Sequence, residues 1–238
     1  MRYSLLFVGL LLAMGGTPAQ AQRVLLHAEP AADSLPPRYG PNRAFYQHLF
    51  AGYSPVAGRA EGAGAALRHP QSAETFLGLR TKFRLSGQLA MGADVRYARL
   101  QYQLKQTSGK LLPNAQLHDR EALMLSQVQL EPFLRLGFGR RGNVIGHYLD
   151  VSGWGGWAMA TTHYYEDRPG TGGGTSTLVK ERQPRYLRRW AGGVGTRLGS
   201  GRYGVVARYR LSSSFTPAAD PAYAELPRWL LGLELGVF

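Results

Sequence analysis

The residues best suited to acid–base or nucleophilic chemistry in this chain are its six histidines, since the sequence contains no cysteine. An esterase-type site needs a serine close to a histidine, with a third polar group that orients the ring. No histidine stands in a His-x-Ser pattern, and no two have metal-ligand spacing on one predicted strand. The histidines are His27, His48, His69, His118, His147 and His163. We therefore predict no catalytic residues, no metal ligands and no cofactor.

The densest group of ionisable side chains is the segment His163-Tyr164-Tyr165-Glu166-Asp167. We interpret it as the aromatic base of a long loop rather than as a catalytic cluster. Two glycine-rich stretches are weak as nucleotide sites. Residues 170–177 (GTGGGTST) lack the Gly-Lys-[Ser/Thr] ending of a phosphate-binding loop and predict a flexible loop tip. The second stretch, Gly193-Val194-Gly195, begins like the dinucleotide-binding pattern Gly-x-Gly-x-x-Gly. Its next glycine, Gly199, stands one residue too late for that pattern.

The first residues have the three regions of a secretory signal. Arg2 supplies a positive start, residues 5–14 (LLFVGLLLAM) form an apolar run too short to cross a bilayer, and Ala19-Gln20-Ala21 offers the small residues of a cleavage site. We predict a signal peptide over residues 1–21 and export of the rest. Residues 22–42, rich in proline, are predicted to be an irregular lead-in, and residues 43–238 a single barrel domain.

The chain is strongly basic, with 28 Lys and Arg against 15 Asp and Glu, a formal net charge of +13. Loss of Arg2 with the signal leaves 27 basic residues and a charge of +12. Such an excess favours anionic partners such as lipid phosphates, acidic glycans or nucleic acid, and export argues against nucleic acid. After the signal there is no run of about 18 apolar residues, whereas 31 glycines and 13 tyrosines indicate a β composition.

Apolar and polar residues alternate with a period of two through most of the chain, as in strands with one apolar face. In residues 75–86 one face carries Leu77, Leu79, Phe83 and Leu85 with Thr75 and Thr81, and the other carries Phe76, Gly78, Arg80, Lys82, Arg84 and Ser86. Comparable segments are 89–97, 124–138, 203–211 and 229–237, with noisier ones at 44–53, 144–161 (outward Ile145, Leu149, Val151, Trp157 and Met159) and 185–198. Within residues 88–104 the apolar phase changes near Ala98, which predicts a β-bulge.

The connections between these segments alternate in length. The short ones are Ser86-Gly87, Gly139–Asn143 and Gly199–Gly201, and the long ones are Ser54–Ala73, Lys105–Glu121, Glu166–Pro184 and Ser214–Pro227. We therefore predict an all-β fold: an antiparallel up-and-down transmembrane β-barrel of about eight strands, with short periplasmic turns and long extracellular loops. Aromatic residues near the segment ends would form the interfacial girdles. These are Tyr46, Tyr53, Tyr97, Tyr102, Phe138, Tyr186, Trp190, Tyr203, Tyr209 and Trp229.

The final ten residues, WLLGLELGVF, alternate and end in Phe238. Together with the signal peptide and the rhythm of turns and loops, they resemble the small bacterial outer-membrane β-barrel proteins (porin-like, OmpA/OmpX-type). The resemblance implies the outer membrane of a Gram-negative bacterium, outer-membrane lipid as surroundings, and recognition of the C-terminal strand by the barrel-assembly machinery, with Phe238 as assembly signal. One departure is that Leu231, Leu233, Leu235 and Val237 are out of phase with Phe238.

An eight-stranded barrel is narrow enough for its inward side chains to fill it. We predict a barrel-interior ion network of Arg80, Lys82, Arg84, Asp94, Arg96, Glu131, Arg135, Asp150, Arg208, Arg210 and Glu234. An anion-selective passage is the alternative, because bases outnumber acids in this set.

Basic residues of the long loops could contact lipopolysaccharide phosphates. They are Lys105, Lys110, Arg120, Arg168, Lys180, Arg182 and Arg185. The function predicted from all this is a structural, adhesive or envelope-interaction role through the basic extracellular loops, without enzymatic activity. Two alternatives stay open: a barrel-embedded enzyme that modifies lipid A or phospholipid, and a soluble periplasmic β-barrel that carries a ligand with its apolar faces inward.

Overall fold

The computed structural model of the protein describes residues 38–139, 142–168, 175–217, 219–221 and 223–237. The predicted signal peptide, residues 22–37 of the lead-in, most of the glycine-rich loop tip and Phe238 lie outside these ranges. The described residues form nine strands: β1 (Phe45–Ala57), β2 (Ala73–Arg84), β3 (Leu89–Gln103), β4 (Arg120–Phe138), β5 (His147–Asp167), β6 (Thr177–Arg182), β7 (Trp190–Ser200), β8 (Tyr203–Arg210) and β9 (Trp229–Val237). One turn of 3-10 helix, His69–Gln71, precedes β2.

Eight of the strands close into an antiparallel up-and-down barrel in the order β1-β2-β3-β4-β5-β7-β8-β9. The first and last strands pair directly, with Tyr53 opposite Leu233, so the eight-stranded barrel has no free edge. The prediction of an eight-stranded antiparallel barrel is confirmed. β6 was not predicted; it lies within the expected connection Glu166–Pro184 and pairs with the end of β5, from Thr162 to Asp167, beyond the part of β5 that pairs with β7.

The connections at the two ends of the barrel differ as the sequence predicts. At the short-turn end, the strands are joined by residues 85–88, 139–146 and 201–202, and at the long-loop end by residues 58–72, 104–119, 168–189 and 211–228. Among the described residues no helix is long and apolar enough to cross a bilayer.

The β-bulge predicted near Ala98 is wrong. β3 pairs without interruption on both sides, with Ala98 opposite Phe76 of β2 and Gln127 of β4. The apolar residues change phase there because the barrel interior itself becomes apolar above this level, so Leu100 and Tyr102 point inward and are buried. The register does shift between Ser126 and Gln127, in the pairing of β4 with β5.

Inward aromatic rings lie directly opposite inward glycines on the neighbouring strand. A Cβ at Gly52 would come within 2.3 Å of the Phe76 ring, and one at Gly199 within 2.1 Å of the Tyr148 ring. Glycine therefore leaves the space that each ring occupies, an arrangement by which aromatic residues support glycines in sheets. The paired positions are Gly52 with Phe76, Gly78 with Phe50, Gly92 with Phe133, Gly193 with Trp154 and Gly199 with Tyr148.

The short-turn end of the barrel is closed by packed side chains. Tyr46, Ile145 and Tyr148 form a buried cluster inside it. Both Tyr46 and Ile145 were predicted to point outward, and both are wrong, because they fill this mouth of the barrel. Residues 38–44 fold across the same end, where the Asn42 side chain donates to the carbonyl of Gly142 at 2.9 Å.

Candidate functional site

The middle of the barrel is filled by a buried network of equal opposite charges. Five arginines and five carboxylates from seven strands are each at most 5 % exposed. They are Arg80, Arg96, Arg135, Arg197 and Arg208 with Glu74, Asp94, Glu131, Asp150 and Glu234. Because these charges are equal in number, the network does not supply the excess of positive charge that an anion passage requires.

Arg80 is the best-connected member of this network. Its guanidinium binds Asp94 through two nitrogens at 2.8 and 2.7 Å, and Glu234 through two contacts at 2.7 and 3.0 Å. Arg197 lies beside it, donating to Asp94 at 2.9 Å and to Asp150 at 2.7 Å. Asp150 also accepts two hydrogen bonds from Arg135. Each carboxylate is thus bound by charge-assisted, largely bidentate contacts, which offset the cost of removing charges from water.

A second part of the network lies closer to the long-loop end. Arg96 and Arg208 both donate to Glu74 at 3.1 Å and both donate to the side-chain oxygen of Gln129, at 2.7 and 3.1 Å. The Arg208 guanidinium also stacks on the Trp154 ring, 4.1 Å from its centroid. The flat face of the Arg208 guanidinium is therefore covered by an aromatic ring, while the N–H groups at its edge bind a carboxylate and an amide oxygen. This packing leaves little room for water around the cation.

Three residues predicted for this network lie elsewhere. Arg84 is exposed at the short-turn end, where it donates to the carbonyl of Asn42 at 2.8 Å, because β2 ends there. Lys82 is buried nearer the short-turn end, where it donates to the Pro41 carbonyl. Arg210 is bound at the long-loop end, to Glu225 at 2.8 Å.

The prediction missed two full members of the network, Glu74 and Arg197. Glu74 has the same parity as Arg80 on β2, and Arg197 alternates with the outward Thr196 and Leu198 on β7. The period-two pattern therefore held the signal for both. It could not reveal Gln129 and Ser152 as uncharged partners, since their roles depend on which strands meet across the lumen.

Above the ion network, the interior is apolar. A buried cluster combines inward residues of the strand ends with residues of all four long loops. Leu112, Leu123 and Leu226 are fully buried in it. The loops are tied together across the mouth by single β-bridges, Leu67 with Leu104 and Leu187 with Phe215. The described lumen is therefore occupied by side chains at each level, with aromatic residues at one end, charges in the middle and an apolar cap at the other.

The outer face of the barrel is a continuous apolar belt. Large hydrophobic side chains are exposed on all eight barrel strands, and Val95, in the middle of the belt, is 52 % exposed. On β4 the belt runs from Phe138 to Val128, which for a strand tilted by about 40° corresponds to a height of about 25 Å. No lysine, arginine, aspartate or glutamate points outward within it.

Aromatic residues mark the borders of this belt. Trp157 and Trp190 meet edge to face at 4.7 Å, and Tyr209 packs against Trp229 at 4.9 Å, both on the side of the long loops. Of the residues predicted for the girdles, the exposed ones are Tyr53, Tyr97, Phe138, Trp190, Tyr203 and Trp229. The prediction is wrong for Tyr102, which is buried in the apolar cap, and for Tyr186, which packs against that cap from the third long loop.

Most of the predicted loop cations are exposed at the long-loop end: Lys105, Arg120, Arg168, Lys180, Arg182 and Arg185. Lys110 is the exception, since it is buried and forms an ion pair with Glu121. Arg59, Arg68 and Arg189 are further exposed cations of this end that the prediction did not include. We call the exposed lysines and arginines of this end the basic rim. They outnumber the exposed acids here, Glu61, Asp119, Glu181 and Asp220.

The histidines of the long-loop end bind carboxylates or a carbonyl rather than serine. The ring of His163 contacts Glu121 through Nε2 at 2.9 Å and Glu181 through Nδ1 at 3.3 Å, and His118 contacts Asp167 at 2.8 Å. Such contacts hold loop bases together but provide no nucleophile. Among the described residues no three His, Cys, Asp or Glu side chains are placed to bind a metal.

The fourth long loop is attached to the barrel by Glu225. Its carboxylate accepts hydrogen bonds from Ser213 at 2.7 Å, from the Ser214 backbone at 2.8 Å and from Arg210 at 2.8 Å. Burial alone would raise the pKa of Glu225, but the Ser213 hydrogen bond and the Arg210 charge outweigh burial and hold this pKa below its ordinary value. The ionised carboxylate is therefore part of how this loop is fixed.

Compared with known proteins, the chain matches no protein-family model and no curated protein.

Proposed function

We propose that this protein is an integral barrel of a Gram-negative outer membrane, and that it acts in the envelope through its basic rim rather than as a pore or an enzyme. The observation that carries the proposal is the apolar belt around a charged interior. In a soluble barrel the apolar face points inward and the charged face meets water, whereas a small membrane barrel reverses this. Here Leu79 and Val95 point outward, while Arg80 and Asp94 are buried.

The borders of the belt support the same proposal. A groove of about 350 Å³ on the outer wall lies where the belt ends and the first long loop begins, and Tyr53, Arg99 and Gln101 line it. An amphipathic ring beside a cation and an amide suits the headgroup level of a bilayer. Closure of the sheet supports it too, because an unpaired edge in lipid would leave backbone groups without hydrogen bonds.

The basic rim is the surface that we propose meets the envelope. In barrels of this kind the long loops face the cell exterior, where the lipid carries phosphates, and charge-assisted contacts to phosphate are strong. A structural or adhesive role fits a filled lumen, because binding by such a barrel takes place on its loops. The soluble carrier is disfavoured, since the described interior contains packed charges and an apolar cap rather than a ligand chamber.

The experiment is membrane fractionation followed by gel electrophoresis with and without boiling. We expect the protein in the outer-membrane fraction, a requirement for detergent, and a band whose mobility changes on heating, because closed barrels resist unheated detergent. Release with a soluble periplasmic marker and no change on heating would contradict the proposal and favour the ligand carrier. Unaltered lipid A after deletion of the gene is expected, and an altered profile would favour the enzyme.

A further inference from the structure

A cavity of about 390 Å³ lies at the long-loop end between the first and second long loops, beside Pro227 of the fourth. Three nitrogen-bearing side chains line it: Arg59 and His69 from the first loop and Lys105 from the second. None of its lining residues is an aspartate or a glutamate. The cavity therefore has positive charge and hydrogen-bond donors without a carboxylate in its wall.

The two cations of this cavity are not neutralised by neighbouring side chains. In the part of the chain that the structure describes, neither the Arg59 guanidinium nor the Lys105 ammonium has a hydrogen bond or an ion pair. The nearest acid in the sequence, Glu61, instead binds Arg228, with contacts of 3.1 and 3.2 Å. Other cations of this end are also paired, such as Arg168 with Glu166 at 3.4 Å. The cavity thus holds two cations that are left for a ligand.

The wall of the cavity is fixed by the fold. Gly64 has a φ of +84°, a backbone conformation that favours glycine. Its carbonyl accepts hydrogen bonds from the backbone N–H groups of Leu111 and Leu112. A side chain at position 64 would place its Cβ 2.6 Å from the Cβ of Leu111, so the two loops approach closely at this point. The Lys105 backbone donates to the Ala66 carbonyl at 2.7 Å, and the His69 ring donates through Nδ1 to the Val56 carbonyl at 3.2 Å. The positions of the loops are therefore set before any ligand arrives, which lowers the entropy cost of binding.

We propose that this cavity binds a phosphomonoester, with Arg59 and Lys105 contacting the phosphate oxygens. A phosphomonoester carries nearly two negative charges and three acceptor oxygens at neutral pH, which matches two cations from two loops better than a single carboxylate does. The cavity is larger than a phosphate group, so it also accommodates part of the sugar or glycerol to which the phosphate is attached. Two sources could supply this phosphate: a phosphorylated lipid of the outer leaflet or a soluble sugar phosphate. Only the choice between these sources rests on the proposed function, whereas the binding itself does not.

The test is isothermal titration of the folded, detergent-solubilised full-length protein with inorganic phosphate and with glucose 6-phosphate. We expect saturable binding that the double variant Arg59→Gln/Lys105→Gln weakens at least tenfold. The matched control Arg38→Gln/Arg84→Gln removes two exposed cations of the short-turn end, away from the cavity and from the basic rim, and should change binding less than twofold. Equal weakening by both variants, or no saturable binding by the unaltered protein, would overturn the proposal.

A second variant tests the cavity without removing a cation. Ala66 lines it, and Ala66→Glu keeps the backbone contact with Lys105 but adds a carboxylate to the wall of the cavity. We expect binding to be lost while the heat-dependent mobility stays normal, and retained binding would count against the site. Titration with lipopolysaccharide before and after phosphatase treatment separates the sources: preference for the phosphorylated lipid indicates the membrane, and preference for glucose 6-phosphate a soluble ligand. A protein that binds phosphate but needs no detergent would refute the proposed function alone.

Discussion

The guanidinium of Arg135 stacks on the ring of Tyr148, 3.6 Å from its centroid, and the same ring occupies the space that the missing side chain of Gly199 leaves. Arg135 in turn binds Asp150 at 2.7 Å. A glycine on the barrel wall, an aromatic ring and a buried ion pair are therefore connected in a single stack. The space at Gly199 fixes the position of the Tyr148 ring. The ring in turn positions the Arg135 guanidinium where it binds Asp150.

The substitution Gly199→Ala tests this stack. The new methyl group would lie 2.1 Å from the Tyr148 ring, so the ring must shift away from position 199 and its stacking contact with Arg135 is disturbed. We expect the free energy of unfolding to fall by about 1–3 kcal/mol, as overpacking usually costs. Urea denaturation followed by tryptophan fluorescence measures it. Gly155→Ala is the control, since nothing lies within 4 Å of a Cβ there, and equal losses in both variants would contradict the role of the stack.

Loss of one cation from the ion network should be severe. Arg197→Met leaves Asp94, Asp150 and Glu234 with one guanidinium fewer in a buried interior. We expect a loss of about 3–5 kcal/mol in the free energy of unfolding, because an uncompensated buried charge is costly. Denaturation with guanidinium chloride measures it. The exposed Arg182→Met should cost less than about 0.5 kcal/mol, and a similar small effect at Arg197 would show that water reaches the network.

A charge in the apolar belt separates lipid from water as its surroundings. Val95→Arg places a cation midway along β3, between Leu79 and Leu130. In a bilayer this should lower the free energy of unfolding by about 2–4 kcal/mol. The loop variant Leu117→Arg, at a residue of similar exposure, should have almost no effect. Refolding into lipid vesicles under a denaturant gradient measures both, and a tolerated Val95→Arg that improves solubility without detergent would argue for water around the belt.

The attachment of the fourth long loop should depend on pH. Because the pKa of Glu225 in the folded protein lies below its ordinary value of 4.5, its stabilising effect is fully present above pH 4.5 and is lost as the pH falls through the lower folded value. We expect the described residues of this loop to be protected from hydrogen exchange at pH 7 and to lose protection only as the pH falls below the ordinary value of 4.5. Glu225→Gln should remove this pH step, whereas Glu181→Gln should leave it unchanged. A step that persists in Glu225→Gln would assign it to another group.

The filled lumen predicts that the protein does not conduct ions. Apolar side chains close the long-loop end and a cluster including Tyr46 and Ile145 closes the other. In planar bilayers we expect no stepwise currents under conditions in which a trimeric porin gives stable ones. A reproducible unitary conductance, absent from a mock purification, would show that the interior opens.

Much of this fold could be predicted because alternation depends only on neighbouring residues. Residues 75–86 indicate both a strand and its two faces, and the faces found in the structure are the same ones, with Leu77 outward and Phe76 inward. The error at Ala98 has a physical reason. Alternation reports which face is apolar, and above Ala98 the two faces exchange character: Arg99 and Gln101 point outward at the border of the belt, while Leu100 and Tyr102 point into the apolar cap.

The partners within the interior could not be predicted from spacing. Arg80 and Glu234 are 154 residues apart and lie on strands separated by β1, so their contact exists only after closure. The cavity at Arg59 and Lys105 depends likewise on how two loops fold over the mouth, which no local pattern indicates. Only Lys105 was among the predicted loop contacts.

The contact between Arg80 and Glu234 also has a consequence for assembly. Glu234 belongs to the last strand and Arg80 to the second, so a chain that has paired only its early strands presents Arg80 without one of its two carboxylates. An incomplete sheet in the membrane would expose that excess charge to lipid or to trapped water. If the barrel closes in a membrane, arrival of the last strand removes an electrostatic penalty and an open edge in the same step, so we expect half-closed sheets to be poorly populated.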